Sequence, residues 1–168
     1  MGKTVQDILA MIREHEIQMV DFKMVDINGQ YRHVTIPAKN FSEATMKNGI
    51  GFDASNYGYA VVEKSDMVFI PDPDTAVVDP FCEIPTLSMT GNAMIIDYPN
   101  NRPLDQYPRN IVEAAEQYMK DSGIADTMLI LPEFEFYLFD QIGWEVQPNS
   151  IGVALDARQS YWNSATEG

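Results

Sequence analysis

The dipeptide Asn28-Gly29 constrains this chain more than any other pair of residues, because it stands between two runs of extended character, Ile17 to Ile27 and Gln30 to Ile36. Asn and Gly occupy the two positive-φ positions of a type I′ turn at little cost, so the runs are expected to fold back as an antiparallel hairpin. A hairpin alone is marginal in water and needs a further layer over one face. The preceding residues offer one. Thr4 can cap a helix in which Val5, Ile8, Leu9 and Ile12 recur at i, i+3, i+4 and i+7, a stripe that ends near His15 or Glu16. Pro37 closes the hairpin, and Phe41 to Asn48 reads as a second helix stopped by Gly49.

Beyond Gly49 the pattern is irregular. Gly49, Gly51 and Gly58, with the small polar residues from Asp53 to Asn56, predict a loop. Short strands are then expected at Met67 to Ile70, Thr75 to Val78 and Ala93 to Asp97, cut apart by Pro71, Pro73, Pro80 and Pro85. Strands with two helices make a small α+β domain. Tyr98 to Pro108 holds three prolines and two asparagines, which places a domain boundary there. After it, Pro108 suits a first helical turn, Ile111, Ala114, Ala115, Tyr118 and Met119 keep helical spacing, and Gly123 follows Ser122 as the stop. Met128 to Phe139 reads as a strand, and from Gln141 onward the periodicity is lost.

The composition narrows the function. Of 168 residues 45% are hydrophobic and 21% charged, the balance of a chain that folds. Eleven Lys and Arg against 25 Asp and Glu leave a net charge of −14, which argues against a nucleic-acid or anionic membrane partner. No apolar run approaches the roughly 18 residues of a membrane span, and the N-terminus opens into a polar helix, so a soluble cytoplasmic protein is expected. The single cysteine, Cys82, forms no internal disulfide and reads as a packed small residue. Two histidines, His15 and His33, cannot assemble a zinc cluster, so any metal must be a hard one held by carboxylates. The ten methionines fall at apolar positions and read as core filler.

Two groups of residues carry potential chemistry. On a strand from Met128, alternation puts Leu129, Leu131, Glu133, Glu135 and Tyr137 on one face. At about 3.3 Å rise per residue the Cα atoms of Glu133 and Glu135 lie about 6.6 Å apart. From there each carboxylate could bind its own ion of a two-metal site, with ions about 3.5–4 Å apart. A solvated acidic face has the same spacing, although Leu129 and Leu131 on that face suggest that it is covered. The second group, Gly51 to Tyr59, joins short polar side chains to two aromatics beside glycines, a composition that suits a binding loop and a plain turn equally.

These residues together resemble the glutamine synthetases. Phe52-Asp53-Ala54-Ser55-Asn56 is similar to that family's Phe-Asp-Gly-Ser-Ser loop, and Ser65-Asp66-Met67 to its following Ser-Asp-Met. Ile70-Pro71-Asp72 and Ala76-Val77-Val78-Asp79-Pro80-Phe81 are similar to its next strands, and Leu131-Pro132-Glu133-Phe134-Glu135-Phe136 to its Gly-Pro-Glu-x-Glu-Phe strand. The resemblance implies a β-grasp domain over residues 1–103 and the start of a catalytic domain over 104–168. It implies ATP-dependent ligation of ammonia to glutamate through γ-glutamyl phosphate. Glu133 and Glu135 would each hold one of two Mg²⁺ or Mn²⁺ ions, and Asp53 would reach across a subunit interface of a homo-oligomer to favour ammonium and its deprotonation. Ala54 and Asn56 replace the family's Gly and Ser, the stretch from Asn56 to Glu63 is one residue shorter than in many relatives, and Tyr57 and Tyr59 stand where those carry Trp. The chain ends at Gly168, where the family continues into its remaining metal, nucleotide and glutamate residues, so these 168 residues alone are expected to be inactive. A non-catalytic β-grasp assembly or regulatory module, or part of a related γ-glutamyl-amine ligase, is the alternative.

Overall fold

A computed structural model describes residues 2–163. In chain order the elements are α1 (Val5–Glu14), β1 (Met19–Val25), β2 (Tyr31–Pro37), α2 (Glu43–Asn48), β3 (Ile50–Asp53), β4 (Asp66–Pro71), β5 (Val77–Val78), β6 (Thr86–Met89), β7 (Gly91–Ile95), β8 (Arg102–Pro103), α3 (Pro108–Asp121), β9 (Gln141–Gln147) and β10 (Ser150–Asp156). They fall into two compact units that divide between Met128 and Leu129.

In the first unit β1 is the central strand. It pairs antiparallel with β2 and parallel with β6, giving the order β2-β1-β6-β5. A second sheet, β3-β4-β7-β8, is antiparallel throughout. Alternation along β1 buries Val20, Phe22 and Met24 on one face. The Phe22 ring meets Phe69 of β4 edge-on at 6.3 Å and stacks on Phe41 at 6.4 Å, so one side chain ties the two sheets together. Ile8 from α1 and Leu87 and Met89 from β6 complete this core. Met24, Met46, Met67 and Met89 are core residues as expected, whereas Met128 is exposed. At the start of α1, Asp7 N donates to Thr4 Oγ at 3.3 Å and Thr4 N donates to Asp7 Oδ2 at 2.6 Å, a closed capping box.

The β1–β2 hairpin forms with a different turn from the one expected. Gly29 has φ 84° but Asn28 does not share the left-handed region. Gly29 N donates to Asp26 O at 3.0 Å and Asp26 N to Gln30 O at 2.9 Å, the pattern of a type I turn closed by a glycine bulge. Asp26 selects it. The carboxylate accepts from the backbone N–H of Asn28 (2.9 Å) and of Gln30 (3.0 Å) and from Arg32 Nε (2.8 Å), so the aspartate before the dipeptide organises the turn.

The opposite face of the first sheet carries buried polar residues held in pairs. Asp21 lies 2.7 Å from His33 Nδ1 and accepts from Thr35 Oγ at 2.6 Å. Asp79 accepts from Lys23 Nζ at 2.5 Å and from Ser88 Oγ at 2.9 Å. Cys82, expected to be packed, is exposed, because the Pro80 to Pro85 loop runs past this polar face and never enters the core. Strands β3 and β6 were not expected from the sequence. Gly51 and the polar residues after it mask β3, and the four residues of β6 are buried on both faces, which leaves no alternation to read.

In the second unit the strand expected from Met128 to Phe139 does not form. The segment has no regular secondary structure and its side chains are exposed, Leu129 and Leu131 by more than nine tenths. Pro132 removes one ladder donor, and among the described residues no strand pairs with the segment. The regular part is the antiparallel β9–β10 hairpin across Pro148-Asn149, in the stretch after Gln141 for which no element is expected from the sequence. Ile142, Trp144 and Val146 alternate on one side of that turn and Ile151, Val153 and Leu155 on the other.

Candidate functional site

Asp53 is the last residue of β3 and the N-cap of a 3₁₀ turn, Ala54–Tyr57. Its Oδ1 accepts from Ser55 Oγ at 2.6 Å and Ser55 N at 2.9 Å. These bonds favour the charged form: the Ser55 hydroxyl first, then the Ser65 hydroxyl and the Ser55 N–H, hold the carboxyl below the usual aspartate range. The side chain is exposed, so it presents a fixed negative charge to solvent.

The turn is anchored rather than loose. Phe52 is buried and meets Tyr57 edge-on at 5.2 Å, and Ala54 is fully buried. Ile27 N donates to Tyr57 O at 3.0 Å, and Tyr59 Oη donates to Val25 O at 2.8 Å, which fastens the turn to the tip of the β1–β2 hairpin. Burial and the neighbouring Tyr107, 6.0 Å away, push the Tyr59 hydroxyl up to about 12, so it stays a hydrogen-bond donor. Gly58 holds φ 80°, and a Cβ there would stand 2.6 Å from Ile27 Cγ2. The glycine serves the closure of the turn, not flexibility. Beside it an open cavity of about 400 Å³ is lined by Tyr59, Met67, Ile95 and Leu104, with Lys64 and Arg102 among its polar residues.

Asp66 joins Asp53 at this site, a pairing that the order of the motifs does not display. The β3–β4 register sets it directly opposite Asp53, so two carboxylates share one end of the ladder. Like charges opposed across a ladder destabilise it unless a cation lies between or near them. Phe52 and Met67 pair next to them in register, so the signal was available once the two short motifs were aligned as neighbouring strands.

Glu133 and Glu135 lie in the exposed irregular segment of the second unit. Among the described residues no three His, Cys, Asp or Glu side chains come together to hold a metal ion, so these two glutamates have no complete ligand set among the described residues. Among the described residues, too, no helix is long and apolar enough to cross a membrane.

The first unit, two packed sheets flanked by helices with an acidic turn at a sheet edge, is an α+β domain of the β-grasp type. Residues 16–95 match the family described as glutamine synthetase, beta-Grasp domain, and residues 105–168 match glutamine synthetase, catalytic domain. The chain belongs to the glutamine synthetase family. It is 39% identical to the glutamine synthetase of Escherichia coli K12 over 163 residues, covering 96% of this chain and 34% of that protein. It is 38% identical to that of Methylococcus capsulatus over 162 residues, covering 96% and 34%. It is also 34% identical over 168 residues, 99% of this chain and 35% of the other, to a protein of Cupriavidus pinatubonensis named 3-hydroxylaminophenol mutase. The chain thus spans about a third of the length of these relatives. Among solved structures, a Plasmodium falciparum glutamine synthetase shares the fold with a TM-score of 0.64 at 17% identity, covering 95% of this chain and 31% of that one. A structure of apo GmaS does so with 0.62 at 19%, covering 70% and 27%.

Proposed function

We propose that these residues belong to an enzyme that phosphorylates glutamate with ATP and lets ammonia displace phosphate from γ-glutamyl phosphate, with residues 1–103 as the β-grasp domain and 104–168 as the opening of the catalytic domain. The observation that carries the reading is the ionised Asp53, fixed by Ser55 opposite Asp66 at a sheet edge. Two carboxylates on residues paired across the ladder attract a small cation, and ammonium is the cationic form of the acceptor. A carboxyl held below its usual range is a weak base, so Asp53 acts chiefly by charge, concentrating ammonium, and accepts its proton only as the amine commits to attack. We assign this role to the site between subunits of a homo-oligomer, with Asp53 acting on the neighbouring subunit's reaction.

Glu133 and Glu135 are assigned to the ligand set for Mg²⁺ or Mn²⁺, which when bound polarises the phosphates; the further ligands lie outside residues 1–168. It follows that the 168-residue chain alone shows no glutamate-dependent ATP turnover.

The test uses a protein that carries the complete catalytic domain. Asp53→Asn should lower the ammonia-dependent step far more than ATP or metal binding, since the amide keeps the shape and loses the charge. Mixing Asp53→Asn with Glu135→Ala chains should restore part of the activity that each lacks. Mixed oligomers with proven subunit exchange and no recovery would remove Asp53 from a shared site. Because relatives with other printed names share this fold, the acceptor is settled by competing ammonia against small primary amines in the same assay.

A further inference from the structure

The sequence holds two Asn-Gly dipeptides, Asn28-Gly29 and Asn48-Gly49, and the fold treats them differently. An Asn followed by Gly is open to intramolecular attack, because no side chain shields the glycine nitrogen. That nitrogen adds to the Asn side-chain carbonyl carbon and ammonia leaves, giving a cyclic imide that water opens to aspartate or isoaspartate. The nitrogen must first swing toward the side chain, so whatever fixes the peptide between the two residues prevents the attack. At Gly49 it is fixed. Asn48 closes α2, Gly49 N donates to Thr45 O at 3.0 Å, and the glycine packs on β4 so closely that an added Cβ would stand 2.3 Å from Phe69 O. At Gly29 little holds it. Asn28 and Gly29 are exposed at the β1–β2 tip, nothing lies within 4 Å of an added Cβ, and the Gly29 N–H bonds only to Asp26 O of the same turn, at 3.0 Å. An exposed hairpin tip opens locally far more often than a helix end packed on a sheet.

We propose that Asn28 is a site of spontaneous hydrolytic deamidation and that the fold protects Asn48 from the same reaction. The step consumes one water and releases one ammonia. The bond from Gly29 N to Asn28 Cγ forms, the bond from Cγ to the amide nitrogen breaks, and the proton of Gly29 N–H passes through solvent to the leaving nitrogen; water then cleaves the imide. Asp26 gives the change a consequence. Its carboxylate, 2% exposed, accepts from the N–H groups of Asn28 and Gln30, so the product sets a second negative charge beside a buried one. Isoaspartate also lengthens the backbone by one carbon, and the bonds from Gly29 and Gln30 to Asp26 cannot both span it. Ile27 N, in the same turn, donates to Tyr57 O at 3.0 Å, so deamidation loosens a bond that pins the Asp53 turn. The assignment does not rest on the proposed reaction.

The test ages the 168-residue chain in mildly alkaline buffer and follows its tryptic peptides 24–32 and 48–64, which carry one dipeptide each, with fragmentation to assign the residue. Deamidation, read as the mass change from amide to acid and by an isoaspartate-specific methyltransferase, is expected at Asn28 at least about tenfold faster than at Asn48. In the urea-denatured chain the two rates should converge, since only the fold separates them. Asn28→Gln should abolish the change in peptide 24–32, because the longer side chain no longer closes the small ring. In the aged folded chain the Ile27 amide should exchange its hydrogen faster than in the fresh chain. No reaction at Asn28, equal rates in the folded chain, or a difference that persists in urea would each overturn the proposal. So would a mass change that survives Asn28→Gln, which would move the site to Gln30. An unchanged Ile27 exchange rate would overturn the effect on the Asp53 turn.

Discussion

The two units of this chain use the same raw material to different effect. The first closes its apolar residues into a core in which Ile8, Val20, Phe22, Phe69 and Leu87 are fully buried. In the second, from Leu129 to the last described residue, no side chain is buried, although Trp144, Val146, Ile151 and Val153 are as apolar as the residues of β1. Alternation makes strands in both. What differs is the presence of a covering layer: β1 has β4 and Phe41 against its apolar face, whereas the hairpin presents its own outward. Amphipathic pattern decides which face will be buried, and only a partner surface buries it.

That contrast can be broken most forcefully at Phe22. Phe22→Ala removes the ring between the two sheets and should cost the first unit about 4 kcal/mol in chemical denaturation followed by circular dichroism. A loss under about 1 kcal/mol would mean that the sheets do not depend on each other.

Next in size comes the polar face. Asp79→Ala leaves Lys23 and Ser88 without their acceptor and should cost about 2 kcal/mol. Lys23 first, then the Phe81 N–H and Ser88, hold the Asp79 carboxyl down at about 2, below its ordinary 3.8. A depressed folded-state pKa stabilises the folded chain in full above about pH 5, and that contribution is lost as the pH falls through 3.8 toward 2. Acid titration of stability should therefore be shallower in Asp79→Asn than in the natural chain across that window. An unchanged slope would relocate the acid-sensitive group.

Gly58→Ala comes third, with an expected cost of about 1–2 kcal/mol from the left-handed backbone and the contact with Ile27. If Asp53 is to be placed by this turn, the same substitution should also weaken the ammonia-dependent step in the complete enzyme.

Smallest of all, Glu133→Ala and Glu135→Ala should change the stability of the 168-residue chain by no more than about 0.5 kcal/mol, because both side chains are exposed. A larger loss would show that the glutamates are part of a packed structure in this chain, and the contrast between the units would then have to be redrawn.

Much of the first unit was readable in advance. Thr4 and the stripe from Val5 to Ile12 specify α1, Pro108 and Gly123 bracket α3, and the hairpin around Asn28-Gly29 is present. These features rest on contacts within a few residues, which a linear sequence displays. The family loop around Asp53 was readable too, through the order of its motifs. The turn type was not, because Asp26 outside the dipeptide captures its amides, and neither was β6, whose burial on both faces erases the alternation.

The sequence by itself determined the local periods, the caps, the acidic surplus and the family, because each is written in neighbouring or ordered residues. Only the tertiary structure decided that Asp66 stands opposite Asp53, that Tyr59 pins the turn to Val25, that Cys82 lies outside the core, and that the run from Met128 to Phe139 has no strand beside it among the described residues. Each of those facts depends on what another part of the chain brings alongside. A strand exists only where a second backbone accepts its hydrogen bonds, and a buried residue only where a second surface excludes water.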